Sequence, residues 1–202
     1  MFILASQSPR RRQILEQMGL TFRVETGHVD EAAIQSQWEI DQRGQNRDPA
    51  GLVEALARAK AREVASHHPG DLVLGADTIV VWEGKILGKP HSHEEARTML
   101  RSLSGHSHEV YTGVALQGPG HDLVFHDCAQ VTFNALDSYQ EAAIEAYVAS
   151  GQAQDKAGAY GIQDRGATLV AGIKGDFYTV MGLPLAKTRK LLFSWGLTFD
   201  QA

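Results

Sequence analysis

The sequence has little of several features that would place it in a specialised class of protein. Its 202 residues include one cysteine, Cys128, which excludes an internal disulfide and a cysteine-based zinc site. No apolar run is long enough to span a bilayer, and the first apolar run is too short for a signal peptide. A net charge of −5 provides no global basic field. We therefore expect a cytoplasmic protein that binds neither a membrane nor a nucleic acid polymer.

Three local signatures of catalysis or cofactor binding are also missing. The chain contains no phosphate-binding loop of the Walker type, no dinucleotide-binding fingerprint and no Gly-x-Ser-x-Gly elbow. Any polyanionic ligand must therefore be held by a local cluster of cations that the fold assembles from separate segments.

What the chain does have is an ordinary globular composition, with 43% hydrophobic and 21% charged residues. Predicted strands and helices alternate early, and two long strands follow over 109–116 and 123–133. This order predicts an α/β protein with a mixed sheet. We also expect a strand over 177–181 and a final helix over 184–195.

The stretch 72–90 combines two apolar runs with one carboxylate. Residues 72–74 and 79–82 have the composition of strands, and a Glu-Gly turn after the second run predicts a hairpin with 85–87. Asp77 lies between the two runs. An ionised carboxylate beside a core is costly unless a cation, a metal or a substrate compensates it.

The first predicted helix places arginines at an unusual position. Ser8 followed by Pro9 is typical of a helix start, and the helix should end near Met18. Arg11 falls on the apolar face of this helix, with Arg10 at its edge. Cations at a helix N-terminus oppose the helix dipole, so the pair favours a bound anion over a basic surface turn.

A second cation lies on an apolar helix face. The predicted helix over 52–65 carries Lys60 on the same face as its buried aliphatic residues. Lys60 either reaches a ligand or extends to the rim of the core, and the pattern leaves both open. Glu31 fits the start of a helix, and 32–51 is predicted to be an irregular surface excursion.

Together these positions form a set with complementary charges. Cations suit phosphates, and hard carboxylate oxygens suit Mg²⁺ or Mn²⁺. The set comprises the cations Arg10, Arg11, Lys60 and Lys89 and the acidic residues Glu31 and Asp77. It predicts a phosphate site with a divalent metal.

Seven ordered motifs resemble those of the Maf-type nucleotide pyrophosphatases. They are Ser6-Gln7-Ser8-Pro9-Arg10-Arg11, Leu56-Ala57 with Lys60-Ala61, Leu74-Gly75-Ala76-Asp77-Thr78, Gly88-Lys89-Pro90, Leu103-Ser104-Gly105, the segment 155–163, and Gly182-Leu183-Pro184-Leu185. The resemblance covers nearly the whole chain. It implies one domain over 1–202, with two lobes and a cleft, and a fold similar to that of inosine triphosphate pyrophosphatases.

The resemblance also implies an activity. Maf-type enzymes are hydrolases acting on acid anhydrides, and they cleave nucleoside triphosphates to monophosphate and pyrophosphate with a divalent cation. The segment 155–163 is similar to that of the subfamily acting on dTTP, UTP and modified pyrimidine nucleotides, a role in nucleotide-pool sanitation. The family resemblance further implies a cytoplasmic homodimer. The alternatives are a 7-methyl-GTP pyrophosphatase, or a nucleotide-binding regulator of cell division without turnover.

Site residues follow from the resemblance position by position. Asp77 matches the catalytic carboxylate, and Glu31 with Asp77 matches the metal position. The phosphate-binding positions are Ser8, Arg10, Arg11, Lys60 and Lys89. The substrate-specificity positions are Arg10, Thr78 and Gln163. Asp164 stands where the family commonly has glycine, and we expect little effect from it.

Overall fold

The computed structural model describes residues 1–41 and 48–199. Helices and strands alternate through this part of the chain. The strands are Phe2–Leu4 (β1), Arg23–Val24 (β2), Leu72–Trp82 (β3), Lys85–Leu87 (β4), Ser107–Gly118 (β5), His121–Phe133 (β6) and Val170–Lys174 (β7). The helices are Pro9–Gln17 (α1), Glu31–Asp41 (α2), Pro49–His67 (α3), His93–Leu103 (α4), Ser138–Ala149 (α5), Phe177–Met181 (α6) and Leu185–Ser194 (α7).

The strands form a seven-stranded sheet in the order β2-β1-β3-β5-β6-β7, with β4 paired to β3. β1 pairs in parallel with both β2 and β3, whereas β3 with β4 and β6 with β7 are antiparallel. The predicted α/β class with a mixed sheet is therefore confirmed. No helix in the described ranges is long and apolar enough to cross a membrane.

The chain divides into two compact units. The first comprises the described parts of Met1–Asp77, Thr112–Asp127 and Gly182–Ala202, and the second comprises Thr78–Tyr111 and Cys128–Met181. The first has a core in which β1, α3 and β3 meet, and the second has a core built on α4 and α5. The single domain, its lobes and its cleft stay predictions.

β3 is one continuous strand of 11 residues rather than two short runs. The sequence predicted that Asp77 lies between two strands, whereas it lies within one strand. Hydrogen bonding to neighbouring strands overrides the weak strand preference of aspartate. The predicted hairpin is confirmed: Val81 pairs with Ile86, and Glu83 and Gly84 form the turn with φ of 48° and 70°. Positive φ at both central residues suits the twist of a tight hairpin.

Two predictions about secondary structure were wrong. Within the expected irregular stretch 32–51, the chain forms most of α2, and α3 begins at Pro49; residues 42–47 lie outside the described residues. The expected strand over 177–181 is the helix α6. Asp176 Oδ1 accepts a hydrogen bond from Tyr178 N at 3.1 Å. This side-chain cap favours a helix, although the β-branched and aromatic composition of the segment favours a strand.

Candidate functional site

The start of α1 is built as its sequence predicts. Ser8 is the N-cap, Pro9 follows at the first helical position, and the Ser8 hydroxyl accepts a hydrogen bond from Arg11 N at 3.5 Å. Ile14 and Leu15 are fully buried on the inner face. The helix phase therefore directs Arg11 toward the protein, as expected from the spacing.

The guanidinium of Arg11 is anchored at two points. Its Nε donates to the carbonyl oxygen of Gly182 at 2.9 Å, and its Nη1 donates to Ser6 Oγ at 3.2 Å. Burial lowers the pKa of Arg11 from its ordinary value, and the negative charge of Asp77 acts against this shift. Since the ordinary arginine pKa is far above neutral, the group stays protonated at pH 7.

A glycine brings α3 against β3. A Cβ on Gly75 would lie 2.6 Å from the backbone nitrogen of Ala61, so only a residue without a side chain permits this approach. Asp77 lies two residues further along the strand and therefore faces the same side as Gly75. Lys60 precedes Ala61 on α3, which places its side chain within reach of Asp77.

The side chain of Lys60 joins two carboxylates. Its Nζ lies 2.5 Å from Asp77 Oδ1 and 2.9 Å from Glu31 Oε1. The side chains of Lys60 and Asp77 are 17% and 12% exposed, so water screens their attraction weakly, whereas Glu31 is 56% exposed. Lys60 is thus a cation that compensates Asp77, and its role in binding a ligand stays a prediction.

The two carboxylates suit a hard divalent cation. Mg²⁺ commonly binds through one or two protein carboxylates, with water and substrate phosphates supplying its other oxygens. Glu31 and Asp77 converge on one cationic atom, so the same oxygens would fit such an ion. Among residues 1–41 and 48–199, no three or more His, Cys, Asp or Glu side chains are grouped so that they could hold a metal ion by themselves.

The remaining predicted site residues fall into two groups. Arg10 lies in the first unit, half-buried, and its charge lowers the pKa of Arg11. Thr78, Lys89 and Gln163 belong to the second unit, where Thr78 is half-buried and the other two are exposed. The structure brings together Ser8, Arg11, Glu31, Lys60 and Asp77, and the functional roles of all predicted residues stay predictions.

Two residues of the site were not singled out by the sequence. Ser6 and Gly182 hold the Arg11 guanidinium, through a hydroxyl and a backbone carbonyl. Both belong to the motifs of the family resemblance, yet nothing in their composition indicates an arginine partner. A contact between residues 171 positions apart depends on the fold and has no local signal.

Comparison with known proteins assigns the chain to a family. A family model described as "Maf-like protein" matches residues 1–195, so the chain belongs to the Maf-like family. The "dTTP/UTP pyrophosphatase" of Moorella thermoacetica is 51% identical over 197 residues, covering 96% of this chain and 95% of the relative. The proteins of that name from Symbiobacterium thermophilum and Shouchella clausii are each 49% identical, over 96% and 95% of this chain and 93% of each relative.

One solved structure is a weaker match. The Staphylococcus aureus Ham1 protein is 14% identical, with a TM-score of 0.42 over 65% of this chain and 71% of that one. A TM-score this low supports no conclusion. Family membership rests on the family model and on the relatives at about 50% identity.

Proposed function

We propose that this protein hydrolyses dTTP and UTP, and modified forms of these nucleotides, to nucleoside monophosphate and pyrophosphate. The observation that carries the proposal is the contact of Lys60 with both Asp77 and Glu31. The relatives named dTTP/UTP pyrophosphatase support it at 49–51% identity over nearly their whole length. Such an activity would remove unwanted pyrimidine triphosphates from the nucleotide pool.

The chemistry requires a base, a water molecule and neutralised phosphates. Asp77 accepts a proton from the water, whose oxygen forms a bond to the α-phosphorus. The bond from that phosphorus to the bridging oxygen breaks, and pyrophosphate leaves with the electron pair. A positioned base of this kind contributes about 10²–10⁴-fold to the rate.

Lys60 has two tasks in this scheme. Without substrate its ammonium pairs with both Asp77 and Glu31 and offsets part of their negative charge. Triphosphate offers stronger competing acceptors, so Lys60 turns toward phosphate and leaves the Asp77 oxygens available to water. Arg11 adds a second fixed positive charge, since Gly182 and Ser6 hold its guanidinium in place.

Glu31 and Asp77 are the residues that would hold a divalent cation. Bound there, Mg²⁺ or Mn²⁺ would neutralise charge on the phosphates. Two carboxylates and a bound triphosphate together provide enough oxygens for such an ion. Chelation should therefore abolish hydrolysis, and added Mg²⁺ or Mn²⁺ should restore it.

The other predicted roles rest on the family resemblance. Ser8, Arg10 and Lys89 bind phosphate in this proposal. Arg10 also contributes to substrate choice, together with Thr78 and Gln163. The proposal places the enzyme in the cytoplasm as a homodimer, and light scattering of the purified chain tests the dimer.

A nucleotide screen tests the activity. The purified protein is incubated with each common ribo- and deoxyribonucleoside triphosphate and with 7-methyl-GTP, in Mg²⁺ or Mn²⁺, and monophosphate and pyrophosphate are measured. We expect dTTP and UTP to be the best substrates. Preferential cleavage of 7-methyl-GTP, or binding without turnover, would refute the proposal in favour of a different activity or a regulator.

A further inference from the structure

The loop that carries Gln163 is fixed by an ion pair between its two ends. Lys156 Nζ lies 3.5 Å from Asp164 Oδ2, with side chains 9% and 22% exposed. The same ammonium donates to the carbonyl oxygen of Gln152 at 2.6 Å and to Asp155 Oδ1 at 2.6 Å. The ammonium is buried and anchored by the Gln152 carbonyl oxygen, and water screens its attraction to the half-buried Asp164 carboxylate only weakly.

Gly161 shows how closely this loop is packed. A Cβ added there would lie 2.6 Å from Lys156 Cε and would also meet the Asp164 carboxylate. The Gly161 amide donates to the hydroxyl of Tyr147 at 3.0 Å, and Tyr147 is itself buried. The backbone before Gln163 is therefore fixed against α5.

The backbone after Gln163 is fixed by Asp164. Its Oδ1 accepts a hydrogen bond from Gly166 N at 2.9 Å and caps the short 3-10 helix Arg165–Leu169. Gln163 itself is exposed, although Ile162 beside it is buried. Anchored neighbours on both sides fix the backbone from which the exposed Gln163 side chain projects, and this limits the positions that its amide can reach.

We propose that Lys156 and Asp164 are positioning residues for Gln163 and thereby contribute to the choice of pyrimidine nucleotides. This inference rests on the proposed function, in which Gln163 contacts the base. It replaces the expectation that an aspartate after Gln163 has little effect. Asp164 acts through the loop and does not contact substrate.

The kinetic test uses a double-mutant cycle on the full-length protein. KM and kcat are measured for dTTP and dGTP with wild type, Asp164→Asn, Gln163→Ala and the double variant. We expect Asp164→Asn to raise KM for dTTP about tenfold while changing kcat about twofold or less, and to add nothing once Gln163 is alanine. Additive losses in the double variant would overturn the inference.

Two further variants separate positioning from general damage. Asp155→Asn removes the charge of another partner of Lys156, whose side chain is 66% exposed and therefore screened by water, and it should leave the dTTP to dGTP preference unchanged. Asp164→Glu keeps the charge and should retain most of the preference. A loss in Asp155→Asn equal to that in Asp164→Asn would contradict a specific role for Asp164.

Amide hydrogen exchange tests the loop without relying on activity. We expect faster exchange across 156–166 in Asp164→Asn and unchanged exchange in Asp155→Asn. Equal exchange in wild type and Asp164→Asn would refute the inference even if the protein hydrolyses dTTP. If wild type does not hydrolyse dTTP, the proposed function is refuted, and so is the contribution of the loop to substrate specificity. The hydrogen-exchange result would still show whether the ion pair between Lys156 and Asp164 fixes the loop.

Discussion

Lys60 Nζ lies 2.5 Å from Asp77 Oδ1, joining the middle of α3 to the middle of β3. This contact explains how a carboxylate is accommodated in a strand in which the residues around it are mostly buried. In the proposed function, a bound triphosphate draws Lys60 away from Asp77.

Lys60→Met should lower the free energy of unfolding by about 2 kcal/mol, because it leaves the carboxylate of Asp77 largely buried without this partner. Adding Asp77→Asn to that variant should recover part of the loss, with a coupling energy of about 1–3 kcal/mol. Urea denaturation measures both, and Lys85→Met serves as a control at an exposed lysine. A coupling energy near zero would show that the pair does not contribute to stability.

Gly75→Ala should reduce both stability and activity. The added methyl group would meet the α3 backbone near Ala61 and push the helix that carries Lys60 away from Asp77. Overpacking of this kind costs about 1–3 kcal/mol. Gly70→Ala is the matched control, since a Cβ there meets nothing within 4 Å. Thermal melting and pyrophosphate release should change only in the first variant.

Glu31→Gln should raise the Mg²⁺ concentration needed for half-maximal hydrolysis at least about tenfold, because it removes one negatively charged oxygen ligand. Glu39→Gln on the same helix, where Glu39 accepts a hydrogen bond from Gln35 at 3.1 Å, should leave this requirement unchanged. Titration of activity with Mg²⁺ compares the two. An unchanged requirement in Glu31→Gln would remove Glu31 from the metal site.

His108 should make stability depend on pH in mildly acidic solution. Its Nε2 lies 2.8 Å from the hydroxyl of Tyr160, and burial lowers its pKa from 6.5 to about 4. Between these values the unfolded chain binds more protons than the folded one, so stability falls as pH drops from 6.5 toward 4. Protonation of His108 should lower the free energy of unfolding by about 3 kcal/mol in total, and this loss is complete once the pH is below the folded-state pKa.

Chemical denaturation at pH 7 and pH 4.5 measures this effect. His108→Gln should show a smaller loss of stability on acidification than wild type. His91→Gln, at an exposed histidine, should behave as wild type does. If wild type and His108→Gln lose the same stability, protonation of His108 is not the cause.

Local features of the site could be read from the sequence. The N-cap Ser8, the start at Pro9 and the inward face of α1 depend on residues within one or two turns of each other. The apolar period of α3 likewise predicted that Lys60 lies on an inner face. These patterns work because they reflect backbone geometry that repeats every few residues.

Other features depend on contacts between distant segments. The continuity of β3 through Gly75 and Asp77 depends on pairing with its neighbours, which overrides the weak strand preference of both residues. The segment of α6 is apolar and β-branched, and only the cap at Asp176 indicates a helix. The partners of Lys60 and Arg11 come from other parts of the chain and have no local signal.

The most direct test of the account compares wild type with Asp77→Asn on dTTP in Mg²⁺, with products separated by ion-exchange chromatography. Asp122→Asn, which removes a charge paired with Arg58 at 3.0 Å on the surface, is the control. The account predicts dTMP and pyrophosphate from wild type and from the control. It predicts at least about a 100-fold slower reaction in Asp77→Asn with an unchanged circular dichroism spectrum. Release of dTDP and orthophosphate, or near-normal turnover by Asp77→Asn, would contradict it.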